Sequence, residues 1–192
     1  MTATPERREM SRERWEMSPE RLARVLVPYR DNCKYLKRIA FEYLPASAGV
    51  SPDQSEASLT AVGELSIAES CYIDSTGHFN AVEFQICANQ LMYALGAECT
   101  RLRLVRALAS LDLDGFYERQ LANVLITNVT STFRRMVNPR RFRGRLQLDR
   151  AYLMRERLFW ECTITYSDDE NGLADGNIVV TMGLGEKMPP KE

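Results

Sequence analysis

The chain contains one histidine, His78, and the residues around it are of the types that move protons and polarise carbonyls. An imidazole accepts a proton near neutral pH, so a histidine directly after the turn-forming run Ser75-Thr76-Gly77 is a candidate general base. Asn80 stands two positions on and Tyr72 six positions back, and an amide and a phenol so placed can hydrogen-bond a substrate. The competing reading of both is local: a strand-end tyrosine, and a first-turn asparagine that satisfies nearby backbone. Glu83 follows one turn beyond Asn80 in an apolar stretch, where a carboxylate needs a partner. It is either a general base acting on water or one half of a structural hydrogen bond or ion pair.

A strand and a helix must position this group. From Leu59 to Ile67, Leu59, Ala61, Leu65 and Ile67 alternate with Thr60, Glu64 and Ser66, the period of a half-buried strand. Past Gly77, the apolar residues Phe79, Val82, Phe84, Ile86, Cys87, Leu91, Met92 and Leu95 spread almost all round a 3.6-residue wheel. This spacing predicts a helix buried on most sides, with Gly96 as its C-terminal stop. The elbow between strand and helix puts His78 and Asn80 at the first turn, where N–H groups lack helical partners and favour negative charge. A thioester carbonyl fits such a position. A helix this apolar needs a sheet wrapped round it, so the predicted fold is α+β: a single hot-dog domain, an antiparallel sheet around a long central helix.

Tyr72-Ile73, the run from Ser75 to Glu83, and Asn89-Gln90-Leu91 with Tyr93 closely resemble the actinobacterial FcoT-like family of hot-dog proteins. The likeness extends from Leu22-Ala23-Arg24-Val25-Leu26 and Pro28-Tyr29 to Asp169-Glu170-Asn171-Gly172. It implies one of two activities. The first is a (2E)-enoyl-acyl-carrier-protein glycyltransferase, adding glycine to the β-carbon of an unsaturated acyl thioester in isonitrile lipopeptide biosynthesis. The second is a long-chain fatty acyl-CoA thioesterase. By resemblance the catalytic set is His78, Asn80, Tyr72 and Glu83, with Gly77, Phe79, Asn89 and Tyr29 at the substrate. Gly77-His78-Phe79 is also similar to the Gly-His-Phe of hot-dog hydroxyacyl dehydratases, but the helix carboxylate of those enzymes falls at Met92 here, so their mechanism does not transfer whole. Asn89 lies nine residues past Asn80, half a wheel away, and is either a pocket residue reached from another direction or a buried amide pinning the helix.

The rest of the chain sets bounds. With 192 residues and 45% hydrophobic content, one domain can bury a sizeable core. We expect a flexible arm over residues 1–17, the hot-dog domain over 18–185 and a loose tail over 186–192. Ser18-Pro19-Glu20 opens a short helix, residues 35–43 read as a first strand, and Asp112 or Asp114 caps a helix through Phe116. Residues 101–111 suit a further helix better than a strand. Strands are predicted near 127–136, 142–154, 158–166 and 176–182, with a hairpin signal at Asn171-Gly172. A net charge of -1 argues against a nucleic-acid-binding surface, and no apolar run is long enough to span a bilayer. Five cysteines without C-x-x-C spacing read as reduced thiols, so a cytoplasmic protein is expected, with no metal and no cofactor beyond the phosphopantetheine or CoA that carries the substrate. Arg140, Arg141 and Arg143 belong to a basic stretch free of acids from Val129 to Leu148. That stretch is either a solvated face or a dock for an acyl carrier protein. A sheet edge left open by this fold predicts a homodimer or a higher homo-oligomer built from it.

Overall fold

The computed structural model describes residues 13–44, 58–74, 76–105, 108 and 111–184. Strand β1 (Glu13–Glu16) leads to helix α1 (Pro19–Val25), whose N-cap Ser18 accepts from Arg21 N and whose first residue is proline. Strands β2 (Leu36–Leu44) and β3 (Ser58–Leu65) follow, then the central helix α2 (Ala81–Arg101) and the short helix α3 (Leu113–Arg119). Strands β4 (Val124–Arg135), β5 (Phe142–Met154), β6 (Arg157–Ser167) and β7 (Leu173–Gly183) complete one sheet. Its order is β1-β2-β3-β5-β6-β7-β4, with every neighbouring pair antiparallel. The fold is therefore the expected α+β hot-dog.

Alternation in the sequence becomes alternation of burial. Leu158, Trp160, Cys162, Ile164 and Tyr166 of β6 all face inward and are at most 2% exposed. The helix comes unusually close to the sheet at one place. Gly63 of β3 and Gly144 of β5 are paired in register, and a Cβ on either would lie 2.6 or 2.7 Å from a methyl of Leu91. Two bare backbones side by side thus form the trough in which α2 rests.

Expectations change at three places. Gly96 does not stop α2, which runs on to Arg101; it is a packing glycine, because a Cβ there would meet Trp160 at 2.7 Å and Phe116 at 2.8 Å. The helix ends instead with Arg103 in the left-handed region, φ 54°, and Leu104 N bonded back to Cys99 O. The further helix suggested for 101–111 does not start at 101: Arg101 belongs to α2 and residues 102–105 are not helical, while Leu108 lies in a 3-10 turn. Residues 13–16, placed in the flexible arm, form a strand: Trp15 stacks on Phe41 and its indole donates to Glu98 at 2.6 Å. Residues 1–12 and 186–192 lie outside the described residues.

Glu98 explains the attachment of that strand. Its carboxylate is 1% exposed and also accepts from Arg21 at 2.9 Å and Arg101 at 2.6 Å, so β1 and α1 are both clamped to the end of α2. All five cysteines are free; burial pushes the thiol of Cys99 up to about 12 and holds Cys87 well above its usual range. Among the described residues no helix is long and apolar enough to cross a membrane.

Candidate functional site

The elbow is built from the start of α2 backwards. Asn80 is the N-cap, with extended backbone, and its Oδ1 accepts from Val82 N at 3.0 Å and Glu83 N at 3.1 Å. Glu83 returns the bond, its carboxylate accepting Asn80 N at 3.2 Å, which completes a capping box. Because both first-turn donors require an acceptor, the oxygen of the Asn80 amide faces the helix and its Nδ2 faces away. The Tyr72 hydroxyl donates to the same Oδ1 at 2.7 Å. Tyr72 and Asn80 are therefore brought together as expected, with Tyr72 half-exposed at 49%.

His78 is exposed at the turn. Its Nδ1 lies 3.1 Å from the carbonyl of Thr76, and a carbonyl can only accept, so Nδ1 carries the proton and Nε2 is left with its lone pair. Thr76 closes the turn by donating its hydroxyl to the His78 carbonyl at 2.9 Å. Gly77, between them, has φ 76°, a conformation that a β-carbon would strain. Phe79 anchors the elbow from below. It is 1% exposed, bonds Val137 O through its N–H at 3.0 Å, and lies 4.8 Å from Phe142 and 4.9 Å from Tyr166, ring to ring.

Two roles read from the sequence take a different form. The first-turn N–H groups of Val82 and Glu83, expected to face a carbonyl, are taken up by Asn80. What the elbow offers instead is the Asn80 amide nitrogen, which is buried and has no hydrogen-bond partner, with the Tyr72 hydroxyl bonded to the oxygen of the same amide. Glu83 is 3% exposed and turned back into the cap, so the structure supports its structural reading and gives it no position from which to activate water.

Two further residues lie elsewhere. Asn89 is half-buried and accepts from Gln85 one turn earlier, at 2.9 Å, and among the described residues it neither bonds the elbow nor pins the helix. The pinning amide is its neighbour Gln90, fully buried, which accepts from Tyr35 N and Leu36 N and donates to Cys33 O at 2.6 Å. Tyr29 packs on Tyr93 at 6.2 Å, about 20 Å along the helix from Asn80 at 1.5 Å per residue. Burial, aided by Tyr93 and Cys87, pushes its phenol far above the ordinary range. Gln90 and Glu98 were missed because a polar residue on an otherwise apolar wheel shows only that it needs partners, not where they come from.

The arginines stand on the other side of residues 137–139. Arg140, Arg141 and Arg143 are exposed, and Arg143 lies 3.5 Å from Asp169. Arg145, next along the same face, pairs with Glu42 at 3.1 Å.

Comparison with known proteins bears on this arrangement. A (2E)-enoyl-[ACP] glycyltransferase of Streptomyces coeruleorubidus is 44% identical over 126 residues, covering 66% of this chain and 70% of that protein. One of Mycobacterium bovis is 38% identical over 168 residues, covering 84% and 85%. Among solved structures, a mutant thioesterase of Pseudomonas aeruginosa covers 70% of this chain and 78% of its own, at 14% identity and a TM-score of 0.37. Residues 24–182 match the model of the FcoT-like thioesterase domain, and the chain belongs to that family.

Proposed function

We propose that the protein is a (2E)-enoyl-acyl-carrier-protein glycyltransferase, adding glycine across the double bond of an acyl thioester. Relatives of that name, alignable over most of the chain, support the reaction. The single structural observation that carries it is His78: a ring held through Nδ1–H with Nε2 open at an exposed elbow. Nε2 takes a proton from the glycine ammonium, and the free amine attacks the β-carbon. A C–N bond forms as the C=C π pair moves to the α-carbon and the thioester oxygen. The Asn80 amide nitrogen and the positive end of α2 stabilise that enolate, while the Tyr72 hydroxyl, donating to the amide oxygen, holds the amide in place. The imidazolium then returns its proton to the α-carbon, so atoms and charge balance with no redox step and no cofactor.

The family's thioesterase description favours a second reading, in which water replaces glycine and the same donors face a tetrahedral oxyanion. Incubating the protein with a crotonyl-loaded carrier protein and glycine separates them. A carrier heavier by one glycine supports addition; free acid supports hydrolysis; an unchanged carrier refutes both.

Arg140, Arg141 and Arg143 offer an acidic carrier protein a basic approach in the cytoplasm. The homodimer is assigned to β4, an edge strand with no charge from Val124 to Phe133 and with Leu125, Val129 and Phe133 exposed. From Val124 to Phe133 that edge presents no charge to oppose pairing with a second copy. Light scattering at micromolar concentration should give twice the chain mass, and a monomer would refute the assignment.

A further inference from the structure

Arg140, Arg141 and Arg143 do not lie on a flat face. With Lys37 of β2 they ring a cleft of about 210 Å³, which three carboxylates share: Glu64, Asp168 and Asp169. Two of the carboxylates, Asp168 and Asp169, are already engaged. Asp168 accepts backbone N–H groups from Asn138, Glu170 and Gly172 at 2.6, 2.8 and 2.7 Å. Burial raises its pKa, but these three donors outweigh burial and hold the carboxyl below its usual value. Asp169 pairs with Arg143, and Glu64 stands in register between Arg38 of β2 and Arg143 of β5. Among the described residues, no carboxylate lies within ion-pair distance of Lys37, Arg140 or Arg141. Four cations against three carboxylates leave the cleft with one positive charge in excess.

Buried contacts also connect the cleft to the elbow. Phe142 lines it, and the ring of Phe142 is 4.8 Å from that of Phe79, the residue after His78. Ile67 N bonds Pro139 O at 2.8 Å and Phe79 N bonds Val137 O at 3.0 Å, so one stretch of chain is stitched to both ends of the loop that bears the histidine. From Val137 to Arg140 is at most about 10 Å of extended chain.

We infer that this cleft binds the phosphodiester of the phosphopantetheine arm that carries the acyl group, with Arg140, Arg141 and Lys37 as its clamp. The inference rests on the thioester chemistry of the preceding section. A phosphodiester carries one negative charge, which matches the excess cation. Guanidinium forks present paired N–H donors to its two free oxygens, and the Ser66 and Ser167 hydroxyls line the same cleft. The arm then runs on past the 137–139 stretch and delivers the thioester to His78, Asn80 and Tyr72.

The test compares crotonyl thioesters of pantetheine, of phosphopantetheine and of the carrier protein, each with glycine. For the wild type, kcat/KM should be about tenfold higher with phosphopantetheine than with pantetheine, carried mainly by KM, as suits charge-assisted hydrogen bonds in an open cleft. In the Arg140→Gln/Arg141→Gln double variant the ratio should fall to about one. Lys37→Gln, on a different strand, should lower it in the same direction, which separates loss of the clamp from local damage to the turn before β5. A wild-type ratio near one overturns the inference, as does a ratio unchanged by the substitutions, or a loss confined to the carrier-bound substrate. If the wild type turns over none of the three, the functional reading fails instead. Calorimetric titration with phosphopantetheine against pantetheine then decides the inference without turnover: equal binding of the two refutes it.

Discussion

Replacing Asn80 by serine and by alanine separates the two duties that the structure gives this side chain. Its oxygen caps α2 by accepting from Val82 N and Glu83 N and also receives the Tyr72 hydroxyl; its nitrogen is buried without a partner. Alanine removes everything. Loss of an N-cap costs about 0.5–2 kcal/mol, and the freed Tyr72 hydroxyl can turn to solvent, so about 1.5 kcal/mol is expected. For a chain of this length that is about 3–6 °C of melting temperature. Serine caps about as well as asparagine and eliminates the unpaired donor, whose burial is itself unfavourable by about 1–3 kcal/mol. Asn80→Ser should therefore melt at or slightly above the wild-type temperature. If the amide nitrogen binds the thioester oxygen as charge develops there, both variants should lose about 100-fold to 1000-fold in glycine addition, the usual effect of deleting one such donor. The assay is mass spectrometry of the crotonyl carrier with glycine, alongside thermal melts. A stable Asn80→Ser variant with full activity would refute the carbonyl role and leave Asn80 as a cap alone. Destabilisation equal to that of alanine would refute the capping argument.

His78→Ala should lower addition by about two to four orders of magnitude with the melting temperature within about 2 °C, since the ring is exposed and makes one local hydrogen bond; raising the pH should partly restore the rate as more glycine becomes free amine. Near-normal turnover, or a variant rate that does not climb with pH, would remove the general base. Gly96→Ala should destabilise by about 1–2 kcal/mol in urea, because overpacking against the buried Trp160 and Phe116 exceeds the gain in helix propensity; an unchanged or raised midpoint would contradict the packing reading. Glu98→Gln should cost about 2–3 kcal/mol, the partly exposed arginines softening the loss of a buried charge pair, and should shift the emission of Trp15. Unaltered stability would show that the clamp contributes nothing.

The elbow was readable because local chemistry determines it: a turn-forming glycine, then Asn80 followed three residues later by Glu83, then an apolar helix. That spacing is the pattern of a capping box, yet it was read as a possible site carboxylate, because nothing in a sequence distinguishes a glutamate that bonds backwards from one that faces a substrate. Gly96 misled for a related reason. Glycine ends helices and also lets helices approach rings, and only the positions of Trp160 and Phe116, far away in sequence, decide between the two. Trp15 was hidden in a charged run without periodicity, and its strand exists through pairing with β2 and a bond to Glu98, 83 residues on. The arginines were legible as a cluster but not as a cleft, since Lys37, Glu64 and Asp168 arrive from strands β2 and β3 and from the β6–β7 connection.

Helix α2 alone would not place His78. The first turn fixes Asn80 and Glu83 relative to the helix axis, but the histidine precedes that turn, in a stretch where Thr76 and His78 bond each other. Phe79 supplies the missing constraint. Its N–H is bonded to Val137 and its ring is enclosed by Phe84, Phe142 and Tyr166, so the residue between histidine and cap is held by the sheet from two directions. Tyr72 approaches from the preceding loop and closes on Asn80, and Cys71 N accepts its place by donating to the buried Tyr35 hydroxyl at 3.0 Å. The neighbours of His78 and Tyr72 are thus fixed from outside the elbow, Phe79 at Val137 and Cys71 at Tyr35. A base and a carbonyl donor must keep their spacing while a proton leaves glycine and returns two carbons along the chain, and it is the sheet, closing around the helix from β2 to β7, that keeps it.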